Sequence, residues 1–210
     1  ILSSDIGIHQ ENTHKKNWPK CPFIRKDIRQ INAAEILKLV DNRRPHLIAG
    51  GPPCQGFSTL GDKLSSDPRN DLFSAYLRLA KDLKPEFILI ENVKALTTMY
   101  GGRYADWIKS QLLDLGYKVT SKVLNAADFG VPQIRNRAFF LGYLINGSYS
   151  FPSATHGEFQ KNKYENVGNW INDLISKDDK FPNHIPLNHS QKVIERYNLI
   201  PEGGRLPPPE

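Results

Sequence analysis

Cys54 stands in Gly50-Gly51-Pro52-Pro53-Cys54-Gln55-Gly56-Phe57-Ser58, directly after the apolar run Leu47-Ile48-Ala49. Two prolines fix two φ angles and remove two donors, while paired glycines permit a sharp turn or a close approach. The apolar run predicts a buried strand, so the thiol falls at its C-terminal end, where open α/β sheets bind ligands. Most cysteines are inert fillers, but one on a stiff polar turn is suited to nucleophilic attack once ionised. The other cysteine, Cys21 in Lys20-Cys21-Pro22-Phe23, has no such context and reads as structural.

Two further clusters follow. Glu91-Asn92-Val93 comes immediately after Phe87-Ile88-Leu89-Ile90, a second apolar strand. A glutamate ending a strand is usually only a solvated loop residue. If this strand neighbours the one feeding Cys54, its carboxyl lies beside the thiol and can hold or donate a proton. Gln133-Ile134-Arg135-Asn136-Arg137 is an extended segment whose alternate side chains share a face, giving two guanidiniums and an amide able to grip an anion or a carbonyl. Asp5 and Asp27 also read as acids at strand ends, a place where carboxylates hold the hydroxyls or amino group of a nucleoside cofactor.

Alternating elements must position these groups. Apolar spacing predicts helices near residues 31–39, over 71–83 and over 104–115, with strands at 46–49, 87–90, 117–124 and 137–144. That order predicts an α/β fold, a mostly parallel sheet with helices on both faces. The last two strands, joined by residues 125–136, read as an antiparallel hairpin at one edge. Residues 1–150 form the expected catalytic core. Residues 151–210, rich in Lys, Asn, Asp and later Pro, read as an extension with short helices near 167–175 and 190–197.

A chain of 210 residues can bury one good core, and its net charge of +6 suits a polyanionic partner without requiring one. Two cysteines argue against a disulfide scaffold and fit a reducing, intracellular setting. No apolar stretch is long enough to span a bilayer, and nothing resembles a signal peptide. The chain begins at Ile1 and reads as a piece of something longer.

Taken in order, these motifs resemble those of the cytosine-5 DNA methyltransferase family. Pro52-Pro53-Cys54-Gln55-Gly56-Phe57-Ser58 is similar to its nucleophile motif, Glu91-Asn92-Val93 to its acid motif, and Gln133-Ile134-Arg135-Asn136-Arg137 to its paired-arginine motif. Asp67-Pro68-Arg69-Asn70-Asp71-Leu72 and Leu124 to Pro132 add to the similarity, which covers most of residues 1–145. The resemblance implies a Rossmann-like, S-adenosylmethionine-dependent methyltransferase fold and a DNA (cytosine-5-)-methyltransferase activity with S-adenosylhomocysteine as product. Cys54 would attack cytosine C6, Glu91 would manage a proton at N3, and Arg135 and Arg137 would fix the ring carbonyl. Asp5 and Ile6 would hold the ribose and adenine, Asp27 and Ile28 the adenine amino group and ring, and Gly51, Pro53 and Leu72 the methionine side. Gln55, Ser58, Asn92 and Gln133 would contact the target nucleotide. No metal is implied.

Departures from the family pattern shape the expectation. Its Phe-x-Gly-x-Gly loop and the motifs beyond the target-recognition region have no counterpart in these residues, so the fold is expected to be incomplete at both ends. The family commonly has a larger aromatic residue where Ile6 stands. Residues 1–210 alone are expected to bind cofactor poorly and to methylate slowly or not at all. Double-stranded DNA is the expected partner, with a complementing chain as a further one, in the cytoplasm of a bacterium as part of a restriction-modification system. A nuclear setting stays open. The alternatives are a tRNA cytosine-5 methyltransferase of the same fold, and a non-catalytic or split-enzyme subunit.

Overall fold

The computed structural model describes residues 1–53, 70–176, 181, 187–201 and 204; Cys54, Gln55 and Ser58 lie outside these. Elements run β1 (Ser3–Asp5), α1 (Ile8–Asn17), β2 (Phe23–Arg25), α2 (Ala33–Leu39), β3 (Leu47–Gly50), α3 (Asn70–Leu83), β4 (Phe87–Val93), α4 (Arg103–Asp114), β5 (Lys118–Asn125), β6 (Asn136–Tyr143), α5 (Val167–Ile171) and α6 (Gln191–Asn198). The chain falls into two units, Ile1–Glu165 and Asn166–Glu210. Every site residue discussed below belongs to the first.

Among its described residues the first unit holds two sheets. β1 and β2 pair in parallel, with Asp5 opposite Arg25. The other sheet has four strands in the order β3-β4-β6-β5. β3 and β4 are parallel, with Gly50 opposite Ile90, as a shared crevice for Cys54 and Glu91 requires. β5 and β6 form the expected hairpin, but β6 is inserted between β4 and β5, antiparallel to both. The architecture is α/β with mostly parallel strands, as the sequence pattern predicts.

Helix α3 joins the two sheets through its side chains. Phe73, Tyr76, Leu77 and Ala80 pack with Ile88, Ile90 and Phe140 of the larger sheet. Leu79 and Leu83 pack instead with Ile24 and Ile31, and with Leu2, beside the smaller one. Burying each large apolar side chain contributes roughly 1.5–3 kcal/mol, so a helix buried on both flanks is a strong tie. The Tyr76 hydroxyl donates to the carbonyls of Ile48 and Leu89, 3.1 Å from each, binding the helix to both parallel strands. Burial pushes that phenol well above its ordinary range. Gly50 has no side chain because Tyr76 fills the space: a Cβ there would lie 2.7 Å from the ring.

The first unit continues past Ser150 for a visible reason. The amides of Thr155 and His156 donate to the Asp128 carbonyl at 2.8 and 3.0 Å, and the Tyr164 hydroxyl donates to Asp128 Oδ1 at 3.3 Å. These bonds fasten the strand-free segment onto the 3-10 turn Ala126–Phe129, which connects β5 to β6. His156 also covers Gly130, whose φ of 86° and lack of a side chain the contact needs, since a Cβ would meet the imidazole at 2.7 Å.

Candidate functional site

Antiparallel pairing of β4 with β6 puts Val93 opposite Arg137 and Glu91 opposite Phe139. Side chains two apart on a strand share a face, so Glu91 and Arg137 meet diagonally. Arg137 Nε lies 2.9 Å from Glu91 Oε1, and both side chains are only partly exposed. Arg137 Nη1 also donates to the Asn136 carbonyl at 2.8 Å, which helps fix the guanidinium plane.

Beside this pair runs the turn that leaves β3. Gly51 passes so close to Glu91 that a Cβ would sit 3.1 Å from Oε2. Pro52 is buried, and its carbonyl accepts a 2.9 Å hydrogen bond from the Asn92 amide. Asn92 is itself 7 % exposed, and its Oδ1 accepts from the Val93 amide. Asn92, read in the sequence as a nucleotide contact, therefore spends its amide on the backbone of the Pro-Pro turn. Pro52, Pro53, Gly51, Glu91, Val93, Arg135 and Arg137 line a pocket of about 240 Å³ with it. That is less than most drug-sized pockets, and suits one heteroaromatic ring.

Arg135 reaches the pocket from an exposed stretch just before β6. Its amide donates to Asn125 Oδ1 at 3.0 Å and its carbonyl accepts from Ala126, so the approach to β6 is clamped to the end of β5. Gln133 is exposed and does not line the pocket, and Ile134 is 83 % exposed between them. Cys54, Gln55 and Ser58 lie outside the described residues; the turn that leads to Cys54 opens directly onto Glu91 and Arg137.

The residues expected to hold a nucleoside sit at the ends of β1 and β2. Parallel register brings the two ends together, Asp5 closing one and Asp27 following the other. Asp5 Oδ1 accepts from the Gly7 amide at 2.8 Å, shaping the start of α1. Ile6 is 67 % exposed, an apolar side chain left against solvent on a tight turn. Asp27 caps the 3-10 turn Ile28–Gln30, and its carboxylate is forked by the Arg29 guanidinium at 2.6–3.1 Å. Those hydrogen bonds hold the Asp27 carboxyl down, to about 2. Gly51 and Pro53 are placed as described, and Leu72 is half-buried near the start of α3. Sequence reading assigned neither Pro52 nor Val93 to a pocket wall; strand alternation from Glu91 could have found Val93.

The family model for C-5 cytosine-specific DNA methylase matches residues 1–205. Type II methyltransferase M1.HphI of Haemophilus parahaemolyticus is 36 % identical over 97 % of this chain, which spans 55 % of that protein. Type II methyltransferase M.AquIA of Picosynechococcus is 35 % identical over 74 % of this chain and 69 % of its own length. Among solved structures, a protein described as a DNA modification methyltransferase encoded within an Escherichia coli prophage superposes with a TM-score of 0.57 at 32 % identity, over 68 % of this chain and 39 % of that one. Spodoptera frugiperda DNMT2 gives 0.56 at 24 % identity, over 73 % and 45 %, a likeness of fold. The chain thus spans about half the length of the first of these relatives, and it belongs to the C-5 cytosine-specific DNA methylase family.

Proposed function

We propose that these residues form the base-binding and thiol-bearing half of a DNA (cytosine-5-)-methyltransferase of a restriction-modification system. The observation that carries this reading is the Glu91–Arg137 pair at 2.9 Å, set against the Gly51-Pro52-Pro53 turn that delivers Cys54. A cytosine swung out of the duplex, at a cost of a few kcal/mol, would present its N3 edge to Glu91 and its carbonyl to Arg137 and Arg135.

Cys54 then forms a bond to C6 and the C5–C6 electron pair moves to C5. A proton passed or shared from Glu91 to N3 neutralises the ring, giving an enamine in place of a free carbanion. Arg137 and Arg135 hold the ring carbonyl through charge-assisted hydrogen bonds. S-adenosylmethionine, when bound, supplies the methyl group that C5 takes up. Loss of the C5 proton then restores the double bond and releases the Cys54 thiolate. For the base to enter, Arg137 must divide its guanidinium between Glu91 and the ring.

The acid-bearing ends of β1 and β2 fit such a cofactor. Exposed Ile6 offers a flat apolar contact to adenine, and Asp5 and Asp27 offer carboxylates to ribose and to the adenine amino group. At Asp27 the amino group would share the carboxylate with Arg29. Gly51, Pro53 and Leu72 would line the methionine side, and Gln55, Ser58 and Gln133 the target strand. Asn92 serves this reading as the anchor of the turn.

A complementing segment, carried on the same or a second polypeptide, completes the proposal. The two sheets are not hydrogen-bonded to each other among the described residues, and a further strand between β1 and β3 would supply the cofactor loop. The proposed setting is bacterial cytoplasm; no helix among the described residues is long and apolar enough to cross a membrane.

The test is a covalent trap. Duplex DNA carrying 5-fluorocytosine at the target should form a denaturant-stable adduct with the full-length protein, and Cys54→Ser should abolish it. An adduct formed by the variant at the wild-type rate overturns the assignment. Methyl incorporation into tRNA in preference to duplex DNA would favour the RNA reading instead.

A further inference from the structure

The 3-10 turn Ile28–Gln30 is short, its Gln30 amide donates to the Asp27 carbonyl at 2.9 Å, and 3-10 hydrogen bonds have poorer geometry than those of an α-helix. Its start is capped by Asp27, and the Ile31 amide donates to the Ile28 carbonyl at 3.3 Å. The rest of its anchoring comes from far along the chain. Nη2 of Arg78, on α3, donates to the carbonyls of Ile28 at 3.2 Å and Ile31 at 2.7 Å. Arg78 stands between buried Leu77 and Leu79 and is itself half-buried. A half-buried cation is costly at such a place unless its donors are used, and here one nitrogen closes both ends of the turn.

We propose that Arg78 is a positioning residue for adenine recognition, acting through Asp27 and Ile28. The inference rests on the reading of those two residues as the adenine contacts. The two carbonyls that Arg78 grips bracket the turn that Asp27 caps, and the Ile28 side chain is already packed against both core clusters. Fixing the backbone there fixes the direction of the Asp27 carboxylate. Hydrogen bonds from a charged donor are about twice as strong as neutral ones, so α3 holds the turn without touching the nucleoside. The same helix begins at Asn70, downstream of Cys54, and carries Leu72. Arg78 thereby references the adenine side to the element on the methionine side.

The experiment compares calorimetric binding of S-adenosylhomocysteine and S-inosylhomocysteine, which lacks the adenine amino group, to the full-length protein. The wild type should prefer the adenosyl ligand. Arg78→Met should weaken the adenosyl ligand about tenfold, weaken the inosyl ligand less, and so erase most of the preference. Arg78→Lys, which keeps a cation, should recover part of it. A preference unchanged in Arg78→Met, or an equal loss for both ligands, overturns the role of Arg78 and leaves the Asp27 reading standing. No preference in the wild type refutes the Asp27 reading, and the inference falls with it. Should Arg78→Met not fold, amide exchange in Arg78→Lys decides. Faster exchange at Gln30 and Ile31, with Ile88 and Ile90 unchanged, supports the role, and unchanged exchange at all four refutes it.

Discussion

Glu91 owes its position to the absence of a side chain at residue 51. A methyl group there would sit 3.1 Å from Oε2, close enough to push the carboxylate a few tenths of an ångström along its pocket. Gly51 is exposed, so stability should hardly respond. The rate should respond, because a proton-transfer group contributes on the order of 100- to 10,000-fold and works only within hydrogen-bond reach. Gly51→Ala is expected to lower the single-turnover methylation rate roughly tenfold or more with an unchanged melting temperature. A wild-type rate would mean that Glu91 tolerates displacement. Cys54 lies outside the described residues, but Glu91, Arg135 and Arg137, which share one pocket, are legible in the sequence because each motif is polar where a strand would otherwise stay apolar. Arg78 and Pro52 are not, since their partners are backbone carbonyls or amides in distant segments, and no side-chain pattern announces a carbonyl.

At the scale of elements, the turn after β3 is held by β4 through one buried amide. Asn92→Ala would leave the Pro52 carbonyl without that donor in a buried setting, at an expected cost of about 1–3 kcal/mol. Chemical denaturation should register that loss, and adduct formation by Cys54 should slow further than stability alone explains. Replacing Asn92 without destabilisation would show that the turn stands by itself. Sequence periodicity found α3, α4 and the four strands of the larger sheet to within a residue or two, except that β4 runs on through Glu91 to Val93. It missed α1, where His14 is the buried residue and there is no apolar stripe to read. That helix is supported by a Glu11–Lys15 pair at 2.7 Å and by His14, whose ring lies 5.0 Å from Phe23 and whose Nε2 meets the Cys21 carbonyl. The position of β6 between β4 and β5 was equally hidden, because hairpin strands look alike whichever one takes the interior.

For the molecule as a whole, the division of strands into two sheets sets an order of stability. β1 and β2 pair only with each other among the described residues, and a two-stranded sheet is marginal by itself. They are tied to the rest by the Ile24, Ile31, Leu79 and Leu83 cluster and by Arg78. Local opening should therefore come first there. Native-state hydrogen exchange is expected to show Ile24 and Arg25 exchanging well before Ile88, Ile90 and Phe140, and simultaneous exchange would refute the order.

In the proposed function, loosening of the smaller sheet on warming would blunt the grip on adenine while the pocket proposed for the pyrimidine, built on β4, the turn after β3, β6 and the residues leading into it, stayed intact. Heated gently, the enzyme proposed above would demand more cofactor for the same turnover before it lost the capacity to turn over at all.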